Sequence, residues 1–154
     1  MNGRSRGFFG LILALSVMIV GGVALAQHPA RGVSDEPTQQ TEASIEQLTR
    51  QARVVAYLQA NQRLPDYYIT KRQARAAGWD PARGNLCQVV PGRAIGGDRF
   101  ANREGRLPQQ AHRIWREADI NYRCGRRQAD RVLYSNDGLI YVTRDHYRHF
   151  TRME

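Results

Sequence analysis

Five side chains scattered along the sequence have the types needed to move a proton and hold a phosphate. They are the carboxylate of Glu117, the imidazole of His146, the guanidiniums of Arg127 and Arg131, and the ammonium of Lys71. General acid–base catalysis needs two groups on opposite sides of a reacting bond. Glu117 is the candidate base, because arginines follow it on the same strand surface, and His146 is the candidate acid. Arg127, Arg131 and Lys71 could neutralise the charge that develops in phosphoryl transfer. Lys71 is the one lysine among 22 arginines, which hints that a compact point charge is wanted there. Plainer readings stand beside these. Glu117 and the arginines also make an ordinary cross-strand salt bridge, which spacing alone favours, and a lone histidine more often sits at the surface. His112, His149 and His28 have no better claim than His146. No carboxylate cluster points to a metal site, so the expected chemistry uses no metal and no cofactor.

These side chains need elements that aim them, and residues 113–131 are the centre of that arrangement. The stretch reads as two short strands meeting across a Gly-containing turn. Ile114, Ala118 and Ile120 alternate with Trp115, Glu117 and Asp119, which gives one apolar face and one carrying acid and indole. On the return strand Arg127 and Arg131 are an even number of residues apart, a spacing that puts both on one face. Pairing of the two strands would set Glu117 beside two guanidiniums.

The chain has 154 residues, an apolar fraction of 42% and a net charge of +9. That balance favours polyanions, nucleic acid or anionic membrane, and steers them from a distance; an Arg-rich solvated surface is the plainer alternative. Residues 1–26 read as a targeting segment, with Arg4 and Arg6 before an apolar run and Ala24-Leu25-Ala26 as a small-x-small cleavage site. Cleavage is expected after Ala26, and a retained membrane anchor is the alternative. Either outcome exports the remainder, and without the anchor no stable membrane association is expected. In an oxidising compartment Cys87 and Cys124 read as one disulfide. Closing that loop is worth about 4 kcal/mol in the chain-entropy model.

Residues 27–44 hold almost no large apolar side chains and are expected to be a disordered linker; the folded domain is placed at 45–154. Ser44 with Gln47 makes a capping-box pattern for a first helix that ends near Gln62, carrying Ile45, Leu48, Ala52, Val55, Ala56 and Leu58 on one stripe. Leu64-Pro65 opens an irregular aromatic connector. Thr70 with Gln73 is a second capping box, which makes Lys71 the first residue of a short helix, where a cation opposes the helix dipole and wants an anion or solvent. A third short helix falls near residues 84–90. From residue 93 the period becomes strand-like, with a bulge at Gly96-Gly97 and a hairpin around Asn136-Asp137-Gly138. His146 and Tyr147 follow a strand end. Helices first and strands afterwards predict an α+β fold, with the helices packed on one face of an antiparallel sheet.

The loop Asn102-Arg103-Glu104 sets an acid beside a cation, a common dipeptide that could also read a base. Guanine alone presents adjacent N1–H and N2–H donors on its Watson–Crick edge, which one carboxylate accepts in bidentate fashion. At this point the residues carry a likeness. Leu64-Pro-Asp-Tyr-Tyr-Ile-Thr-Lys71, Gly84-Asn-Leu, Ile95-Gly-Gly-Asp, Asn102-Arg-Glu-Gly, Trp115-Arg-Glu-Ala-Asp-Ile-Asn-Tyr122, Asp130-Arg-Val-Leu-Tyr-Ser135 and Asp145-His-Tyr147 resemble the barnase-like family of microbial guanyl-preferring ribonucleases over about residues 47–154. The resemblance implies a five-stranded antiparallel sheet and an endoribonuclease that cleaves single-stranded RNA on the 3′ side of guanosine. It implies Glu117 as the base that takes the 2′-OH proton and His146 as the acid that protonates the 5′-oxygen. Lys71, Arg127 and Arg131 match the phosphate-stabilising cations, and Tyr147 a side chain lining the same site. Phe100, Ala101, Asn102, Arg103 and Glu104 match the guanine-recognition loop. A monomer is expected, controlled before export by an acidic protein inhibitor of the barstar type.

The chain departs from the family pattern in places. Arg126 stands where relatives can carry an aromatic, and Gly138 gives a tighter hairpin turn. The two cysteines are not a family feature, so their pairing rests on the export argument. A competing class is a non-catalytic exported polyanion binder, which predicts steep salt dependence, no base preference and no cleavage product. Toxic cargo of an interbacterial system is a third reading.

Overall fold

The computed structural model describes residues 43–154. The expectations for the targeting segment, and for all but the last two residues of the linker, lie outside the described residues. Ten elements follow one another: α1 (Ile45–Leu48), α2 (Gln51–Asn61), β1 (Tyr68–Ile69), α3 (Lys71–Ala76), α4 (Leu86–Val89), β2 (Ala94–Phe100), β3 (Trp115–Asp119), β4 (Arg131–Ser135), β5 (Ile140–Thr143) and β6 (Thr151–Arg152). The fold is α+β, as the order of helix-like and strand-like segments implies. The strands lie side by side in chain order.

Two expectations need correction. The sheet has six strands rather than five, and its first pair is parallel: Tyr68 aligns with Ala94 and Ile69 with Ile95. A two-residue strand has no period to read, so β1 was hidden inside the aromatic connector. The single first helix is also two helices. Thr49 ends α1 by bonding its own Oγ1 to the Ile45 carbonyl at 2.7 Å. Its carbonyl then accepts the Asn121 amide at 2.7 Å, and its hydroxyl accepts the Tyr122 amide at 3.0 Å. Asn121 Oδ1 in turn accepts the first amide of α2, Gln51 N, at 3.0 Å, where Arg50 supplies no side-chain cap. A helix start capped from 70 residues away satisfies an orphan donor just as a local cap does. Both predicted capping boxes, Ser44–Gln47 and Thr70–Gln73, are formed.

The alternation in β3 divides two cores. Ala118 and the following Ile120 join Val54, Leu58, Leu86, Ile95 and Val132 between the helices and one sheet face. On the other face Trp115 packs with Leu107 and Leu133, flanked by Phe100, Tyr147 and Phe150. Glu117 and Asp119 share this second face with Trp115, and both are almost fully buried. The bulge in β2 is confirmed by a register shift between Gly96 and Asp98. Gly96 has to be glycine, because a Cβ there would lie 2.6 Å from the Tyr68 ring and 2.7 Å from the Ala118 methyl. The shift turns Asp98 toward α3, where its Oδ2 accepts the Lys71 amide at 2.9 Å. Helix and sheet are tied together at the residue that carries the lone ammonium.

Candidate active site

The base position is built from three elements. Glu117 on β3 is 5% exposed. Its Oε1 accepts from Lys71 Nζ, delivered by the first turn of α3, and its Oε2 accepts from the hydroxyl of Tyr147 beyond β5. Burial alone would push the Glu117 carboxyl up, but the bonds from Lys71 and Tyr147 outweigh it, and its pKa lies below the ordinary value of 4.5. Glu117 is therefore a carboxylate at neutral pH, free to accept a proton. Burial, and then the bond to Glu117, raise the Tyr147 phenol, so Tyr147 remains a donor. The anion that a lysine at a helix N-terminus calls for is Glu117 itself.

The two arginines converge on the next carboxylate of the same face. Arg127 bonds Asp119 with both ends of its fork, Nε to Oδ2 at 2.8 Å and Nη2 to Oδ1 at 2.5 Å. Arg131 brings its Nε to 3.0 Å from Asp119 Oδ1, off the line of a hydrogen bond, and anchors its Nη1 on the carbonyls of Gln128 and Asp130. Burial works against the Arg127 charge, yet the bonds to Asp119 and the charge of Glu117 outweigh it and hold the guanidinium above its ordinary value. The cluster of Glu117, Asp119, Lys71, Arg127 and Arg131 thus holds two carboxylates and three cations. One positive charge is left over in a desolvated place, which suits a phosphate.

The candidate acid, His146, sits on a short loop that is fixed from within. Asp145 Oδ1 accepts the Thr143 hydroxyl and the amides of Arg148 and His149, each at 3.0 Å. The His149 amide, then the His149 ring, hold the Asp145 carboxyl well below the usual carboxylate range. This knot carries His146 and Tyr147 in consecutive left-handed conformations, φ 57° and 70°, which side chains adopt only when the surroundings over-determine them. The exposed His146 ring meets the Tyr147 ring edge-on, with centroids 4.8 Å apart, so acid and base candidates flank one tyrosine.

Tyr147 stacks its other neighbour, Phe100, at a centroid distance of 5.3 Å and an angle of 21°. From there the chain turns into a cavity of about 480 Å3, walled by residues 99–104 and Arg106 on one side and by His146, Tyr147, Arg148 and Phe150 on the other. Asn102, with φ 45°, closes this loop on itself. Its Nδ2 donates to the Leu107 carbonyl at 2.9 Å and its Oδ1 accepts the Leu107 amide at 3.1 Å. Glu104 stays exposed and pairs with Arg106 at 2.6 Å. The cavity has the size and polar rim of a small-ligand site and opens beside His146.

The ribonuclease family model matches residues 51–154. The chain belongs to the microbial ribonuclease family. It is an RNA-cleaving enzyme. Among its relatives, the ribonuclease of Bacillus intermedius is 50% identical over 138 residues, covering 81% of this chain and 85% of the relative. The ribonuclease of Bacillus pumilus is 61% identical over 100 residues, 65% of this chain and 62% of the relative. That of Heyndrickxia coagulans is 60% identical over 100 residues, 65% of this chain and 92% of the relative.

Within this family member the residues singled out in the sequence fall into two joined groups. Lys71, Glu117 and Tyr147 are directly bonded, and Phe100, Ala101, Asn102, Arg103 and Glu104 line the cavity with His146 and Tyr147. Two readings are corrected. Arg127 is not on the return strand, because β4 begins only at Arg131. The arginines also bond Asp119 instead of Glu117, since Lys71 and Tyr147 already occupy both Glu117 oxygens. Asn102 spends its amide on Leu107 and shapes the loop. Asp119 was the residue missed as a functional one. Its signal was present: a second acid two residues after Glu117 shares its face, and two arginines need more than one carboxylate. Asp98 and Asp145 were also missed, for each acts by capping backbone amides, a task many aspartates perform. The Cys87–Cys124 disulfide is formed.

Proposed function

We propose that this enzyme is an exported, metal-independent endoribonuclease that cuts single-stranded RNA after guanosine by cyclising transesterification. The observation that carries the reading is Glu117, a buried carboxylate kept ionised by Lys71 and Tyr147 and set beside the Asp119-bound arginines. Glu117 takes the proton of the 2′-OH, and the 2′-oxygen attacks phosphorus. Lys71, Arg127 and Arg131 neutralise the charge that grows on the non-bridging oxygens. His146 gives its proton to the departing 5′-oxygen as the P–O5′ bond breaks, leaving a 2′,3′-cyclic phosphate. In the second step His146 takes a proton from water, the water oxygen attacks phosphorus, and Glu117 returns its proton to the 2′-oxygen.

The guanine base enters the cavity beside His146, where the Glu104 carboxylate accepts N1–H and N2–H. Asn102 fixes the shape of the loop for it through its bonds to Leu107, and Phe100 braces Tyr147 from behind. Export follows from the reading of residues 1–26 with cleavage after Ala26. A secreted monomer needs an inhibitor while it is still inside the cell, and an acidic protein of the barstar type would complement the basic site.

Incubation with a defined single-stranded RNA in excess EDTA tests the reading. Fragments ending in guanosine 2′,3′-cyclic phosphate, later opening to the 3′-phosphate, are the expected products. Cuts without base preference would defeat the guanine assignment, and no cuts until a divalent cation is restored would defeat the metal-free mechanism.

A further inference from the structure

Arg127 is the one member of the cation set that stands on neither a helix nor a strand. It lies in the connection 120–130 between β3 and β4, and its bonds to Asp119 fix only the guanidinium. The backbone just before it is held against the segment that leads into α4. Arg126 Nε donates to the Ala82 carbonyl at 2.7 Å. Gly84 seats the loop so closely that a Cβ there would lie 2.5 Å from Arg126 N and 2.6 Å from the Gly125 carbonyl carbon. Cys124 is bonded to Cys87 of α4. Cys124 and Gly125 both take left-handed conformations, φ 64° and 70°, so the loop turns sharply within two residues of the arginine. Of these ties only the disulfide cannot be exchanged for water.

We propose that the Cys87–Cys124 disulfide is a positioning element for Arg127, so that RNA is cleaved at full rate only by the oxidised enzyme. The inference rests on the role assigned to Arg127 in the proposed mechanism. Two-electron reduction by a dithiol, itself oxidised to a disulfide, leaves thiols at Cys87 and Cys124. The left-handed turn then relaxes about Gly125, the loop lifts from its seat on Gly84, and Arg127 is carried off the line to the phosphate. Lys71 is untouched, because it belongs to α3, and Arg131 keeps its backbone in β4 although one of its Nη1 bonds reaches the Gln128 carbonyl of the loop. A chain reduced in the compartment where it is made would stay slower until export oxidises it, which adds to the protection that an inhibitor gives the producing cell.

The test compares the full oxidised chain, the same protein reduced by dithiothreitol, and Cys87→Ser/Cys124→Ser, each with and without Arg127→Ala. Circular dichroism monitors the fold at 10 °C, and kcat and KM are measured on a guanosine-containing dinucleotide. Reduction and the double serine variant should each lower kcat about tenfold with little change in KM, a fraction of the loss caused by deleting a charge-stabilising donor outright. Reoxidation should restore the rate. In the Arg127→Ala background reduction should cost nothing further. Unchanged kcat in folded, reduced enzyme would overturn the proposal, as would an equal loss in the Arg127→Ala background. Loss of the native circular dichroism on reduction would overturn it too, since the bond would then hold the whole fold. If Arg127→Ala leaves the oxidised enzyme unimpaired, the failure belongs to the catalytic reading of Arg127.

Discussion

Two carboxylates two residues apart on one strand perform different tasks because different elements meet them. Asp119 is consumed by the arginines and serves as their mount. Glu117 is met by an ammonium and a phenol, which stabilise its anion yet leave it able to take a proton. Glu117→Ala should therefore lower kcat/KM on RNA by about 10²–10⁴, the range of a general base, with the melting temperature retained. An unimpaired variant would remove Glu117 from the mechanism. The pH profile carries the same information. A base held below 4.5 stays deprotonated as pH falls through that value, so the acid limb of kcat/KM should lie below pH 4.5. Lys71→Ala removes the largest favourable contact and should move that limb upward; a limb that stays in place would show that another group titrates. His146→Ala should abolish cleavage of RNA while sparing a substrate with a nitrophenolate leaving group, which departs without a proton. Equal losses on both substrates would give His146 a structural role. At this scale the sequence was informative about residue type and poor about partners. One acid of the cluster, three cations and a histidine could be named from it, but the bonds among them span as many as 46 residues, and spacing along a strand cannot assign them.

Elements whose causes are local could be read directly. The capping boxes, the Gly96-Gly97 bulge and the hairpin at Asn136-Asp137-Gly138 each arise within a few residues, and each is where the sequence places it. The break between α1 and α2 and the strand β1 depend on Asn121 and on Ala94, so no local pattern announces them. The hairpin also shows a device that turn propensity omits. Arg113 places Nε at 3.0 and 2.9 Å and Nη2 at 2.6 Å from the Asp137 carboxylate. Hydrogen bonds from Arg113, then Ser135, outweigh slight desolvation and depress Asp137 to about 2 from 3.8. Because the folded value is the lower one, the stabilisation is fully present above pH 3.8 and is lost as pH falls toward 2. The melting temperature of Asp137→Asn should fall below that of the parent above pH 4, and the gap should shrink steeply as pH falls through 2. A gap of undiminished size at pH 2 would mean the substitution disturbs the turn itself.

The charge of the whole molecule acts beyond the site. Residues before 43 carry Arg4, Arg6 and Arg31 against Asp35, Glu36 and Glu42, so the entire +9 belongs to residues 43–154. The active-site cluster uses little of it, because Glu117 and Asp119 absorb two of its three cations. The remaining excess lies on exposed arginines such as Arg99, Arg103, Arg116, Arg126 and Arg148. Arg99 and Arg116 even face each other across β2 and β3, a like-charge pairing that costs stability and is relieved by a polyanion. Substrate length should therefore set the salt response. A dinucleotide brings one phosphate, and its kcat/KM should fall about threefold between 50 and 200 mM salt. An RNA that engages three phosphates should lose roughly twentyfold over the same range. Equal slopes for the two substrates would confine recognition to the reactive phosphate and leave the arginine surface without a part in binding. A steeper slope for the longer chain, reduced in Arg116→Gln while dinucleotide cleavage stays unchanged, would show that the surface gathers RNA and the Glu117 cluster cuts it.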